Sequence, residues 1–405
     1  MFCKKFSRPL TKSLFYIVAA FIGLAACDMQ DNEIAPETSF TAIYNNEQFT
    51  EAYHPMSIKQ TADSGFIILA TTNLEDSEFR GIYILKVDAQ GDFQWERKTS
   101  LDYVNPVSDL LLKANEYYFF CMDKLNLGTY LIKINTQDST TQEVSYQAAL
   151  QYPLAASATS DGGYIVQSYN REDKRTQLSK LNTNGIVSWQ KDYDTHEDVE
   201  EDIVRHLIGT IRPLPFFTGS MGATHYFNGF YNFSFSMVFV GSDGELTGVI
   251  NGPGIDDAIS NALPLTGSQF ALSRYSYSEN QLIPRQDLNS NGIGVTGDIQ
   301  GFSFSELNQK AKVKIKKMVV NGQSVVMYGS ETKGNQIILL AYQEGTDTLL
   351  GTHYLGFSHP YQLADFTLTN DGGLAVVGNT NVDSRFPRIA LFKLSPEELN
   401  EMVAP

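Results

Sequence analysis

The sequence predicts an all-β fold assembled from a repeated unit of four strands. Turn motifs recur at near-constant intervals, runs of β-forming residues flank them, and the two ends of the chain carry complementary parts of one unit. The chain has 405 residues, and 42% of them are hydrophobic, which is enough for an extensive core. It contains only three cysteines, so we expect no disulfide framework.

The clearest repeat combines a lysine, a turn glycine and a tryptophan. Residues 86–95, KVDAQGDFQW, align without gaps with residues 180–189, KLNTNGIVSW. Lys133 lies between them in a third copy, so that the three lysines are spaced by 47 residues. An interval of this size is typical of a repeat architecture. Weaker copies of the turn follow at 242–244, 290–292 and 344–345.

A second glycine turn precedes the first one in each unit. Its clearest copies lie at 63–65, 161–163, 266–267, 321–322 and 371–373. Asp-Gly and Asn-Gly between β-forming runs favour hairpins, because glycine readily adopts the positive φ that these turns require. Two hairpins make four strands, and seven first hairpins can be counted, near residues 63, 115, 161, 218–228, 267, 322 and 372. The sequence therefore predicts a seven-bladed β-propeller of four-stranded blades.

The two ends of the chain support this count. The seventh unit reaches its third strand at 389–394 and then meets Ser395 and Pro396, so it lacks a fourth strand. The missing strand is predicted at residues 40–44, FTAIY, and its pairing with the last blade would close the ring and leave no open edge. We therefore expect residues 38–397 to form one β-propeller domain and residues 398–405 to form a short C-terminal tail.

The N-terminus has the features of an export signal. Four basic residues occur within the first 12 positions, and an apolar stretch follows at 14–26. That stretch is too short to span a bilayer core of about 30 Å. The segment from Leu24 to Cys27 resembles the lipobox of bacterial lipoproteins. This resemblance implies a signal peptide at 1–26 and a mature chain that begins at Cys27, acylated with palmitate or a similar fatty acid.

Residues 27–37 are polar and acidic, and we interpret them as a flexible tether. An acidic cluster after the lipidated cysteine resembles the surface-export signal of Bacteroidota lipoproteins, which implies an outer-membrane protein facing the cell exterior. Removal of the four basic residues of the signal changes the net charge from -16 to -20. A surface of this charge repels phosphate backbones, so nucleic-acid binding is not expected.

The paired patterns T-x-D-G-G-Y and N-G-x-x-x-W resemble those of seven-bladed β-propellers in secreted and lipid-anchored bacterial proteins. The resemblance covers about nine tenths of the chain. It implies a fold and no particular chemistry, so it transfers no catalytic residue and no cofactor to this chain.

The sequence offers few candidate metal or catalytic groups. Residues 287–298 contain alternating oxygen ligands that are similar to a calcium loop, but they occupy the hairpin position of residues 181–185. The acidic run at 196–202 is interpreted as an extended, solvated loop between blades. Cys121 lies in an apolar strand and is predicted to be buried. We therefore predict no catalytic residue, no metal site and no cofactor.

The fourth unit differs from the others because nine aromatic residues occur between positions 216 and 239. Phe233, Phe235 and Phe239 alternate as core residues of a strand do. The remaining candidates break this alternation and are predicted to form an exposed platform for a sugar ring or a partner protein; the alternative is an irregular but buried blade. The predicted platform consists of Phe216, Phe217, Tyr226, Phe230 and Tyr231.

These features favour a lipid-anchored binding or scaffold module for a protein partner or a glycan. The alternative is a propeller enzyme of the glycoside hydrolase or lyase type. Such an enzyme needs two carboxylates, about 5 to 10 Å apart, near the propeller axis. Asp109 and Asp365 lie on predicted inner strands and are the candidates for that pair.

Overall fold

The computed structural model describes residues 39–44, 51–107, 109–209, 213–276, 279–309, 311–381 and 386–404. The predicted signal peptide, Cys27 and the tether lie outside the described residues. Within these residues the fold is nearly all β. None of the described helices is long and apolar enough to cross a membrane.

The described residues up to position 194 form fourteen strands. These are β1 (Phe40–Tyr44), β2 (Tyr53–Gln60), β3 (Phe66–Leu74), β4 (Ser77–Val87), β5 (Phe93–Lys98), β6 (Tyr103–Val104), β7 (Leu111–Lys113), β8 (Glu116–Asp123), β9 (Thr129–Ile134), β10 (Thr141–Gln147), β11 (Ala155–Ala158), β12 (Tyr164–Asn170), β13 (Arg175–Leu181) and β14 (Val187–Asp194).

The second half of the chain also contains the described helices. Its elements are α1 (Glu200–Ile208), β15 (Phe217–Met221), β16 (Thr224–Tyr231), β17 (Ser234–Val240), β18 (Leu246–Asn251), β19 (Asp257–Pro264), β20 (Gln269–Ser276), β21 (Glu279–Asp287), β22 (Ile293–Val295), a single 3-10 turn (Thr296–Asp298), β23 (Phe302–Ser303), β24 (Lys314–Val320), β25 (Gln323–Glu331), β26 (Ile337–Gln343), β27 (Leu349–Leu355), β28 (Tyr361–Leu368), β29 (Leu374–Thr380), β30 (Arg388–Leu394) and α2 (Pro396–Val403).

Most strands join small antiparallel sheets of consecutive strands. Strands β11 to β14 form one four-stranded sheet, and β24 to β27 form another. Strands β15 to β18 form a third sheet to which β22 adds a fifth strand, while β19, β20, β21 and β23 form a fourth. A nine-stranded sheet has two arms, β2 to β5 and β7 to β10, which are joined through the short strand β6.

The first strand of the chain belongs to the last sheet. Strand β1 pairs antiparallel with β30, with Phe40 opposite Lys393 and Tyr44 opposite Ile389, and so completes the sheet of β28, β29 and β30. The hydroxyl of Tyr44 donates to the carbonyl oxygen of Gly91, in the turn after β4, at 2.8 Å. Strand β1 therefore connects the last sheet to the first one.

An equivalent contact connects two sheets in the middle of the chain. The hydroxyl of Tyr193, in β14, donates to the carbonyl oxygen of Gly244, in the turn before β18, at 2.7 Å. The repeated tryptophans also reach into the next unit, because Trp95 Nε1 donates to Thr136 O at 3.2 Å and Trp189 Nε1 donates to Ser242 O at 2.7 Å. The tryptophan of the repeat therefore links neighbouring units.

The hydrophobic core consists of clusters that lie between successive sheets. One cluster joins the two arms of the nine-stranded sheet, and others join each later sheet to the next. A further cluster, which includes Ile58, Leu85 and Val377, joins the last sheet to the first. Both faces of a central strand are therefore buried, which explains the apolar runs FIILA in β3 and LAVV in β29.

The repeated lysine and the Asp-x-Gly turn form one structural motif. Lys180 Nζ lies 2.7 Å from Asp161 Oδ1, and a Cβ atom at Gly163 would lie 2.6 Å from that ammonium nitrogen and collide with the carbonyl oxygen of Leu181. Equivalent ion pairs, Lys86 with Asp63 and Lys393 with Asp371, each measure 2.9 Å. The motif therefore has a structural role in holding the first hairpin to the third strand.

The acidic run at 196–202 is only partly the extended loop that the sequence predicted, because α1 begins within it. Three acidic residues, Glu200, Glu201 and Asp202, occupy the first turn of this helix, where the helix dipole favours negative charge. Ile203 and Leu207 are buried. The helix ends at Gly209, whose φ of 70° permits the left-handed C-terminal cap.

The predicted C-terminal tail is also helical. Ser395 caps α2 and forms a capping box with Glu398, and Pro396 opens the helix. Leu399, Met402 and Val403 are buried against the last two sheets, so these residues belong to the packed structure.

The turn predicted at 290–292 does not form a hairpin with the preceding strand. Instead, β22 pairs in parallel with β18 of the preceding sheet, and β21 takes β23 as its partner. The backbone can approach closely because Gly248 has no side chain, and a Cβ there would lie 2.6 Å from Ser290 O. Val249 N also donates to Gly292 O at 2.9 Å. Sequence alone does not reveal this exchange of partners.

Candidate functional site

The first strands of successive sheets lie beside one another and carry charged side chains that meet. Strand β24 contacts both β19 and β28, and β2 contacts β28. Lys312, Lys314 and Lys316 occupy alternate positions in and just before β24, which places their side chains on one face. Asp109, just before β7, and Asp365, in β28, pair with two of them. These five residues are called the axial cluster below.

Two ion pairs organise the axial cluster. Lys314 Nζ lies 2.7 Å from Asp109 Oδ1, and Lys316 Nζ lies 2.6 Å from Asp365 Oδ1. The Asp109 pair joins the second arm of the nine-stranded sheet to β24, although these two sheets are not neighbours in the packing order. It therefore spans the space that the first strands surround.

Asp365 is fully buried and connects three sheets. Its Oδ2 accepts hydrogen bonds from Ser57 Oγ and Ile58 N, both at 3.1 Å, while its Oδ1 faces Lys316. The same Ser57 oxygen accepts a hydrogen bond from Leu110 N at 3.0 Å. Two hydrogen bonds to Oδ2 and the ion pair at Oδ1 hold this buried carboxylate between the sheets, which gives it a structural role.

The lysines keep both aspartates ionised. Burial alone would raise the pKa of Asp109, but the charges of Lys314 and Lys316 hold that pKa well below its usual value. The pKa of Asp365 is likewise lowered by Lys316 and Lys314 against the opposing effect of burial. A glycosidase-type general acid needs a raised pKa, whereas the pKa values of both of these carboxyls are lowered.

Lys312 differs from the other lysines of the axial cluster. Partial desolvation by the surrounding strands, together with the charge of Lys314, lowers the pKa of Lys312 to about 8. Within the part of the chain that the structure describes, no carboxylate lies within ion-pair distance of its ammonium group. Lys59 adds another positive charge near Asp109 and Asp365. The centre of this acidic chain therefore carries an excess of positive charge.

The structure does not bring the predicted aromatic platform to the surface. Phe216 and Tyr226 are only 8% and 2% exposed, and Phe217, Phe230 and Tyr231 are half-buried. The five residues pack into three different clusters. Strand β16 continues without a break from Thr224 to Tyr231 and has a sheet on each face, so its large side chains are enclosed. The alternative interpretation, an irregular but buried blade, describes these five aromatic residues better.

Phe233 also differs from its prediction as a core residue, whereas Phe235 and Phe239 are buried as expected. It lies in the turn between β16 and β17 with a φ of 63°, and it is 63% exposed. Its ring stacks on that of His196, with 5.0 Å between the ring centroids. Cys121 is buried, as predicted, and burial raises its thiol pKa well above the usual value.

A group of tyrosines that sequence reasoning missed lies on the second arm of the nine-stranded sheet. Tyr103 contacts Tyr130 edge-on at 4.9 Å between ring centroids, and Tyr130 lies 4.5 Å from Tyr146. All three rings are half-buried. They lie on β6, β9 and β10, so no local sequence pattern connects them. Only the register of β9 and β10, in which Tyr130 lies opposite Tyr146, indicates that these two tyrosines are neighbours.

Polar groups and a cavity surround these rings. Tyr146 donates to Asp123 Oδ2 at 3.1 Å, and Asn126 Nδ2 donates to the same oxygen at 2.8 Å. A cavity of about 250 Å³ adjoins Tyr103. We call this area, with its three rings and the polar pair of Asp123 and Asn126, the tyrosine surface. The other residues that line the cavity include Asn73, Asp76, Lys98, Ser100, Leu101 and Lys124.

Metal ligands are not grouped in the described part of the chain. Among those residues, no set of three or more His, Cys, Asp or Glu side chains is arranged to hold an ion. The calcium-like segment at 287–298 instead forms the connection that carries β22 to the neighbouring sheet.

Comparisons with known proteins identify a fold and no family. No protein-family model and no curated protein matches this sequence. Among solved structures, Drosophila Semaphorin 2a is similar with a TM-score of 0.51 and 9% identity, over 90% of this chain and 76% of that chain. At this identity the likeness concerns the fold alone, which is that of β-propeller proteins.

Two archaeal structures also match. The β-propeller domain of the Trilobed protease from Pyrococcus furiosus has a TM-score of 0.48 and 8% identity, with 88% of this chain and 99% of that chain covered. The acylaminoacyl peptidase from Pyrococcus horikoshii has a TM-score of 0.48 and 10% identity, with 86% of this chain covered. The chain spans 53% of that peptidase, or about half its length.

Proposed function

We propose that the chain is a seven-bladed β-propeller of four-stranded blades, closed by strand β1, that acts as a binding or scaffold module for a protein partner or a glycan. We further propose that residues 1–26 are removed, that Cys27 is acylated, and that the protein is held on the outer membrane facing the cell exterior. The lipobox-like residues before Cys27 support the anchor. The cyclic order of the core clusters supports the ring.

The observation that carries the binding role is the tyrosine surface. The three clustered, partly exposed rings offer apolar contact area at low entropic cost, and the carboxylate of Asp123 holds Tyr146 and Asn126 in place beside them. This combination suits a sugar ring or a protein side chain. The adjoining cavity of about 250 Å³ supplies a concave site beside the rings.

The enzyme alternative has less support from the geometry. Its two candidate acids, Asp109 and Asp365, are each paired with a lysine at 2.7 Å and 2.6 Å. Their lowered pKa values favour the charged form of both groups, whereas acid–base hydrolysis requires one of them to be protonated. We therefore favour binding over catalysis.

Two measurements test the binding role together. Surface crosslinking in the native cell should recover a specific partner, or a glycan array should show binding by the purified full chain. Tyr130→Ala should reduce that binding at least tenfold. Tyr354→Ala is the matched control, because Tyr354 is a half-buried tyrosine on a different sheet, where its hydroxyl donates to the carboxylate of Glu306. Equal binding by the two variants, or no partner and no glycan, would contradict the proposal.

A further inference from the structure

The axial cluster contains more positive than negative charge. Lys314 and Lys316 each have an aspartate partner, and these two pairs use both aspartates. Lys312 is left without a carboxylate partner among the described residues. Lys59 adds a further cation close to the same two aspartates. The four ammonium groups of Lys59, Lys312, Lys314 and Lys316 outnumber the two carboxylates of Asp109 and Asp365, and a region with this excess of positive charge attracts anions.

Other titratable groups near Lys312 do not offset that positive charge. Burial raises the pKa of Glu331 to about 7, so this side chain is a weak counter-ion at neutral pH. His206, in α1, is neutral at this pH because burial lowers its pKa to about 4. Neither group therefore balances the charge of Lys312 fully.

The position of Lys312 lets a ligand approach. Its side chain is exposed to solvent, and the side chain of Asp109 across from it is 47% exposed, whereas that of Lys314 is only 9% exposed. The backbone before β24 is held in place because Ser330 Oγ donates to the carbonyl oxygen of Lys312 at 3.2 Å. Lys312 is therefore accessible to a ligand from solvent, and Lys314 lies close enough to interact with it.

We propose that Lys312, with Lys314 beside it, binds an oxyanion, which is a carboxylate or phosphate group of a small ligand, at the centre of the ring of sheets. The three ammonium hydrogens of a lysine suit the oxygens of either group. The net charge of -16 on the whole chain makes this positive region selective, because the outer surface repels the anions that the axial cluster attracts. The site is separate from the tyrosine surface.

Thermal melting and isothermal titration of the full chain in detergent test this site. Inorganic phosphate and glucuronate are the two probes, glucose is the uncharged control, and chloride keeps the ionic strength constant. At least one oxyanion should raise the melting temperature, since a ligand that binds only the folded state stabilises it. A response to phosphate alone identifies phosphate as the ligand group, and a response to glucuronate alone identifies carboxylate.

Three variants make the test specific. Lys312→Gln should weaken oxyanion binding at least tenfold and should still fold, because it removes a charge without a partner. Lys312→Arg should retain binding. Lys317→Gln is the matched control, since Lys317 is on the same strand but pairs with Glu344 at 2.6 Å on the opposite face. Stabilisation by neither oxyanion, or unchanged binding by Lys312→Gln, would overturn the proposal.

Tyr130→Ala should leave oxyanion binding intact. The test can therefore reject the oxyanion site without rejecting the binding role of the tyrosine surface, and the reverse also holds.

Discussion

Single side chains connect units that are far apart in the sequence. Asp365 joins its own sheet to β2 and to Lys316, and Asp109 reaches Lys314 across the space between the first strands. The sequence placed both aspartates on inner strands, but it did not identify their partners. Asp109 and Lys314 are 205 residues apart in the chain, and Lys316 and Asp365 are 49 residues apart. The lysine partners favour the ionised form of these carboxylates, whereas desolvation by the surrounding strands would favour the neutral form.

Glu331 gives a pH-dependent prediction at this scale. Burial raises its pKa from 4.5 to about 7, so the folded state retains a proton that the unfolded chain releases between these pH values. The native protein should therefore lose stability as pH rises through that range, by roughly 3 kcal/mol. Glu331→Gln has no proton to lose, so its advantage in melting temperature over the native chain should be larger at pH 8 than at pH 5.

Glu344 serves as the control, because its pKa is shifted in the opposite direction. Hydrogen bonds from Lys317 and Ser324 lower its pKa, so the ionised form is favoured in the folded state. Glu344→Gln should therefore be less stable than the native chain at pH 8, and this difference should shrink as pH falls towards the pKa of the carboxyl. Differences in melting temperature that do not change with pH in either variant would show that neither carboxyl is shifted.

At the scale of elements, the hairpin motif explains why the repeat is visible in the sequence. The ion pair of Lys180 with Asp161 occupies the space that a side chain at Gly163 would fill. Gly163→Ala should therefore cost about 1 to 3 kcal/mol of unfolding free energy, because the new methyl group meets backbone on one side and the buried lysine on the other.

Chemical denaturation measures this cost directly. Gly297→Ala is the matched control, since a Cβ at that position would meet nothing within 4 Å and its stability should change by less than about 0.5 kcal/mol. A similar, small effect of both substitutions would mean that the motif does not hold the hairpin in the way described.

The sequence predicted the elements that are determined by residues of a nearby turn. It did not predict the elements that are determined by packing against parts of the chain that are distant in sequence. The hairpins around Gly65, Gly163 and Gly373 follow from their glycines and lysines. Helix α1 was missed because its charged run conceals the spacing of Ile203 and Leu207, which are buried only when the neighbouring sheets cover them. The aromatic residues of β16 were misjudged for the same reason, since a second sheet covers their outer face.

The whole molecule depends on contacts between the first and last parts of the chain. Strand β1 pairs along its full length with β30, and Tyr44 makes the same contact with the next turn that Tyr193 makes between two internal sheets. The sequence predicted this pairing because residues 40–44 match the outer strands of other units. It did not predict α2, whose buried Leu399 and Met402 pack against the sheets near the point where the ends meet.

The measurement that tests this account most directly is hydrogen exchange of the full chain, followed by mass spectrometry of its peptides. If β1 completes the last sheet, the amides of residues 40–44 that donate to β30 should be protected from exchange, as those of residues 388–394 are, because their hydrogen bonds break only when the two strands separate. The short edge strand β22 should exchange faster than either. Rapid exchange of residues 40–44, with residues 388–394 still protected, would contradict a ring closed by its first strand.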